Sequence, residues 1–137
     1  MTDPITVTAY VAVSPETAWR VWTTPETICR WNFASPDWEC PSAENDLRPG
    51  GAFSYRMAAR DGSMAFDFAG TFETVTPCSR LDLRLGDGRE VHITFEAEGG
   101  GTRVTEAFET DGEAPRELQQ AGWQAILDNF KRVAESA

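Results

Sequence analysis

The sequence predicts an α+β fold: an antiparallel sheet of about seven strands that buries one face under a long C-terminal helix, with two short helices after the first strand. Three observations lead there. The first segment alternates apolar and polar residues; a run of further alternating segments follows, punctuated by Gly, Pro and Asp; and the last segment switches to helical spacing.

Residues 5–13 open the chain with Ile5, Val7, Ala9, Val11 and Val13 on one face, as a half-buried strand requires. Ser14-Pro15-Glu16 then reads as an N-cap, a proline at the first helical position and an acid in the first turn, and the short helix carries Ala18, Trp19, Val21 and Trp22. Thr24-Pro25-Glu26 repeats that start signal for a second short helix bearing Ile28 and Trp31. Residues 32–45, with Asn32, Pro36, Asp37, Pro41 and Asn45, read as an irregular loop that ends in a short strand near Cys40 to Leu47. Arg48-Pro49-Gly50-Gly51 turns the chain into a meander.

In the meander, Phe53, Tyr55 and Met57 share one face, and Asp61-Gly62 is a hairpin signal. Met64, Phe66, Phe68 and Phe72 line one face of the next strand, where Gly70 points to a bulge or bend. Thr76-Pro77-Cys78-Ser79, Asp87-Gly88 and Gly99-Gly100-Gly101 separate three more strands, marked by Leu81, Leu83 and Leu85, by Val91, Ile93 and Phe95, and by Val104, Glu106 and Phe108. From Pro115 onward Leu118, Gly122, Trp123, Ile126, Leu127, Phe130, Val133 and Ala134 recur at i, i+3, i+4, with Glu117, Gln124, Asp128, Lys131 and Glu135 opposite.

Length and composition narrow the function classes. The 137 residues have the size of one domain, 1–137, and 41% hydrophobic with 25% charged residues is a globular mixture. Twelve Lys and Arg against 22 Asp and Glu give a net charge of −10, which disfavours binding to nucleic acid or an anionic membrane. No apolar run approaches the roughly 20 residues of a membrane span. Met1-Thr2-Asp3-Pro4 lacks a basic or apolar leader, so the expectation is a cytoplasmic protein with Cys29, Cys40 and Cys78 reduced. Those cysteines and the single His92 match no zinc spacing, and no glycine-rich loop opens a helix; neither a metal nor a cofactor is expected.

The element order, β-α-α followed by six strands and a helix, resembles the helix-grip fold of the START-like superfamily, which includes birch-pollen allergen and polyketide cyclases. Val13-Ser14-Pro15-Glu16-Thr17-Ala18-Trp19-Arg20-Val21-Trp22-Thr23-Thr24-Pro25-Glu26 is similar to the opening of the family named for the activator of the heat-shock-protein ATPase. Trp31, Asp46-Leu47-Arg48-Pro49-Gly50-Gly51, Asp61-Gly62, Gly70-Thr71-Phe72, Pro77 with Arg80-Leu81, Thr102-Arg103-Val104-Thr105 and Gly122-Trp123 continue it in order. The resemblance implies a sheet curled around the terminal helix with a cavity between them, and binding of small apolar molecules. The founding co-chaperone also carries a separate chaperone-grasping domain, for which 137 residues leave no room.

On that expectation the cavity lining is Phe53, Tyr55, Met57, Phe66, Phe68, Leu83, Ile93, Glu106, Val104 and Phe108 from the sheet and Trp123, Leu127 and Phe130 from the helix, with Trp31, Phe33 and Trp38 at a mouth. The bland alternative is that these residues pack against one another as a solid core. Glu106 shares the inward parity of Val104 and Phe108; a carboxyl there has a raised pKa, unless a bulge or strand end lets it reach water, which is the commoner outcome. Tyr55 offers a hydroxyl, whereas Asp67 and His92 fall on the outer faces of their strands. No catalytic residue is assigned. The leading reading is a binder of an apolar or amphipathic small molecule, acting as monomer or homodimer. The alternatives are a cyclase- or hydrolase-like enzyme using Glu106 and Tyr55, and an interaction protein that modulates a chaperone ATPase through its acidic surface.

Overall fold

Alternation sets β1 (Ile5–Val11): Ile5, Val7, Ala9 and Val11 are buried and Thr6 and Thr8 face outward in the computed structural model, which describes residues 4–110 and 112–137. The strand stops before Val13 because the chain turns there into Ser14, whose extended backbone lets its hydroxyl accept the Thr17 N–H and cap α1 (Pro15–Thr23). Thr24 ends α1 and starts α2 (Pro25–Trp31); as the residue before a proline it is pushed out of helical backbone, which fixes the break.

The remaining elements are β2 (Trp38–Asn45), β3 (Ala52–Ala59), β4 (Ala65–Thr76), β5 (Arg80–Leu85), β6 (Glu90–Glu98), β7 (Gly101–Phe108) and α3 (Arg116–Glu135). They form one antiparallel sheet in the order β1-β7-β6-β5-β4-β3-β2, with α3 as the long terminal helix. This is the α+β, helix-grip arrangement expected from the sequence. The strand expected near Cys40 to Leu47 starts earlier, at Trp38, and its register with β3 slips between Glu39 and Ser42. Pro41, which has no N–H to give the ladder, sits at that slip on an edge strand.

Gly99 and Gly100, at φ of +55° and +86°, make the two-residue turn that joins β6 to β7, with Glu98 and Gly101 paired across it. The bulge expected at Gly70 lies instead between Phe72 and Thr74, where β4 slips against β5. Gly70 has another reason to be glycine: a Cβ there would run into the Arg84 carbonyl and the Leu85 Cα on β5.

α3 lies along β1 and clasps its free edge. Gln124 Nε2 donates to the Thr8 carbonyl at 3.2 Å, Lys131 Nζ donates to the Tyr10 carbonyl at 2.6 Å, and Glu135 accepts the Ala12 N–H at 2.9 Å. These contacts satisfy the backbone groups that an edge strand leaves unpaired. Inside, one end of the space between sheet and helix is filled by rings. Trp22 meets Trp31, Phe130 and Phe95 at 4.9, 4.8 and 5.9 Å, and Trp19 meets Phe95 at 5.5 Å. Such pairs add to the burial of their own area.

Candidate functional site

Beyond that aromatic plug the interior is hollow. A cavity of about 270 Å³ lies between the concave face of the sheet and α3. Its walls are Trp22, Trp31 and Asn32 from the short helices, Tyr55 and Met57 from β3, Phe66, Phe68 and Phe72 from β4, Leu81 and Leu83 from β5, Glu106 from β7, and Gln119, Trp123 and Ile126 from α3, with Arg89 from the β5–β6 hairpin. The hollow exists because α3 rests on β1 and faces β3 and β4 across a gap, which the Trp123 ring bridges to Phe68 at 6.0 Å. Trp123 is itself held parallel to Phe108 at 3.9 Å. Phe66, Phe68, Tyr55, Gln119 and Trp123 all keep some contact with solvent along that gap, which makes it the mouth.

Of the residues the sequence nominates, Trp31, Tyr55, Met57, Phe66, Phe68, Glu106 and Trp123 come together around the cavity, and so does Leu83. Phe53, Ile93, Val104, Phe108, Leu127 and Phe130 do not line it; all are buried against other core side chains, because inward parity places a residue under the helix without saying whether a neighbour already covers it. Trp31 is part of the floor rather than the mouth, buried with its indole N–H on the Val21 carbonyl at 3.1 Å. Phe33 borders a separate, more open depression with Pro36, Arg60, Asn129 and Arg132. Trp38 stands edge-on to Phe66 at 6.0 Å, outside the lining. Phe66 is 47% exposed and Met64 62%, since the start of β4 overhangs the part of the sheet that α3 covers. Trp22, Asn32, Phe72, Leu81, Arg89, Gln119 and Ile126 complete the wall without having been singled out; periodicity identifies core faces but not which of their members meet a void.

The polar groups in this apolar setting define its chemistry. Glu106 is 7% exposed, and burial alone pushes its carboxyl up to about 8. The bulge or strand end that would have released it to water is absent: β7 pairs in unbroken register with β1 and β6 along its whole length. Burial also pushes the Tyr55 hydroxyl up to about 12, against a weak contact from Asn45 Nδ2 at 3.4 Å, so it stays protonated. Asn32 ends α2, and its Nδ2 is buried with no hydrogen-bond partner among the described residues. Beside it lies the Cys40 thiol, a weak acceptor that burial and the neighbouring Cys29 push up to about 12. Arg89 is engaged at the rim by Asp87 at 2.8 Å.

The outer face is separate. His92 Nδ1 and Asp82 Oδ1 are 2.6 Å apart, and Arg80 Nε reaches Asp82 at 2.9 Å. Burial alone would raise Asp82, but hydrogen bonds from Arg80, His92 and Thr74 outweigh it and hold the carboxyl below its ordinary value. Asp67 also faces out, on Arg56 at 3.2 Å. Among the described residues no group of three His, Cys, Asp or Glu side chains converges to hold a metal ion, and no helix is long and apolar enough to cross a membrane.

The solution structure of an AHSA1-like protein from Aeromonas hydrophila is 46% identical, superposes with a TM-score of 0.91, and the match covers 97% of this chain and 92% of that one. A solution structure from Cytophaga hutchinsonii is 44% identical with a TM-score of 0.85, covering 98% and 94%. A crystal structure from Chromobacterium violaceum shares the fold at 22% identity, with a TM-score of 0.87 over 98% and 99%. No curated protein matches the chain. Residues 12–135 match the family model described as Activator of Hsp90 ATPase homolog 1-like protein. The chain belongs to that family.

Proposed function

We propose that the protein holds a small, largely apolar molecule in the cavity between the sheet and α3. The observation that carries this reading is the pairing of a ring-lined hollow of about 270 Å³ with two buried polar groups on its wall: Glu106, which no hydrogen bond or ion pair joins among the described residues, and Asn32 Nδ2, which has only the weakly accepting Cys40 thiol beside it. A solid core has no use for such groups, since each unmet buried donor or acceptor costs about 1–3 kcal/mol. A ligand that fills the volume and meets them recovers that loss, which is how small-molecule pockets combine apolar walls with a few orienting contacts.

The test is titration with the uncharged dye N-phenyl-1-naphthylamine. Saturable, blue-shifted emission at about one dye per chain supports the reading. Folded protein that leaves the dye in water at every concentration overturns it. A second reading, proton transfer by Glu106 to or from a bound substrate, is favoured by its carboxyl lying near neutral pH at about 8. Turnover of any substrate that survives both Glu106→Gln and Tyr55→Phe eliminates it.

A further inference from the structure

The inference here rests on the ligand-binding reading of the cavity and names the class of ligand. Glu106 lies two residues before the end of β7, still paired on both sides, with the apolar Val7 on β1 and Ile93 on β6 as its register partners. The other charged or titratable groups on the cavity wall are Tyr55 from β3 and Arg89 from the β5–β6 hairpin; α3 contributes Gln119, Trp123 and Ile126, none of them ionisable. Arg89 is already paired with Asp87, and among the described residues no ion pair or hydrogen bond joins either Arg89 or Tyr55 to Glu106. The carboxyl therefore looks into an apolar space without a cation of its own. Seven of the fifteen side chains around that space are aromatic, including Trp22, Phe72 and Trp123. Aromatic surface attracts a cation over its faces and does not do so for a neutral group or an anion. The net charge of −10 raises the local concentration of cations in the same sense.

We propose that the cavity takes a small organic amine in its protonated form, the ammonium paired with Glu106 against the aromatic wall and an aromatic or alicyclic body filling the remaining volume. Because burial leaves the free carboxyl mostly protonated at neutral pH, entry of an ammonium ionises it and releases a proton, and affinity rises with pH up to about 8.

Calorimetric titration at pH 7 with three probes of one shape decides the matter: 1-naphthylmethylamine, 1-naphthalenemethanol and 1-naphthoate. The amine is expected to bind at least about tenfold more tightly than the alcohol, and naphthoate more weakly than either. In Glu106→Gln the amine should fall to within about threefold of the alcohol while the alcohol is held as before. Equal or tighter binding of alcohol or naphthoate, or an amine preference that survives Glu106→Gln, overturns the proposal and leaves the cavity reading standing. Failure of all three probes to bind overturns both. Should the variant not fold, the native protein still answers. Amine binding repeated in buffers of different ionisation enthalpy should release close to one proton, and alcohol binding none; no proton release with the amine overturns the proposal.

Discussion

Replacing Glu106 by Gln removes the ionisable proton while keeping the size and shape of the side chain, so it isolates the cost of holding a carboxyl in the cavity wall. The folded carboxyl titrates at about 8 and the unfolded one near 4.5, because burial disfavours the ionised form. Between those values the folded state binds a proton that the unfolded state has lost, so native stability falls as pH rises. At about 1.4 kcal/mol per pH unit the whole interval corresponds to about 5 kcal/mol, and about 4 kcal/mol of it falls between pH 5 and pH 8.5. The Gln variant carries no such slope, and every other titrating group cancels between the two proteins. Paired guanidinium unfolding at pH 5, 7 and 8.5 should therefore show the variant gaining on the native protein as pH rises, by up to that amount. A difference that stays flat within about 0.5 kcal/mol over the range would refute the reasoning, since it would mean that the carboxyl is ionised and hydrated in the folded protein.

Two further expectations concern parts of the structure away from the carboxyl. Phe130→Ala empties the centre of the ring cluster formed with Trp22 and Trp31 and should cost about 3–5 kcal/mol in denaturant unfolding; a loss below about 1 kcal/mol would show that the cluster is not tightly packed. Asp82→Asn removes the negative charge and one of the two acceptor oxygens that serve Arg80 and His92 and should cost about 1–3 kcal/mol at pH 7. The Asp82 carboxyl lies below its ordinary value, so its contribution is present above pH 3.8 and lost as pH falls through the lowered folded value. The deficit of the variant should accordingly shrink in acid, and one that persists unchanged at pH 3 would assign it to packing.

The order and pairing of elements were legible because each boundary carries a local signal: Ser14 and Pro15 at one helix start, Pro25 at the next, Asp87-Gly88 and Gly99-Gly100 at hairpins. Parity put Glu106 on the inner face, but the sequence favoured its release to water at a bulge or strand end; the unbroken pairing of β7 on both sides is what keeps it buried instead. Less legible was anything that depends on where two elements stand relative to each other. Whether Phe108 or Phe68 meets empty space is decided by how far α3 leans toward β1, and that tilt is written in Gln124, Lys131 and Glu135 reaching the β1 backbone, contacts more than 110 residues apart in sequence. Arg89 entered the wall for a similar reason, through the placement of a hairpin. Gly70 carried a signal with two meanings, a bend or a close backbone approach, and only the neighbouring strand selects between them.

The pairing of β1 with β7, and its clasp by α3, bears on how the chain is made. Ile5 lies opposite Phe108, so the first of the seven strands to be made finds its partner in the last of them. Until they emerge, Val7, Ala9 and Val11 form an apolar row without a lid, while β2 through β6 can already zip up neighbour to neighbour. Nascent protein truncated ahead of β7 should thus be a sticky, chaperone-dependent species, and closure of the hydrophobic interior should arrive late and in one step as the C-terminal segment docks.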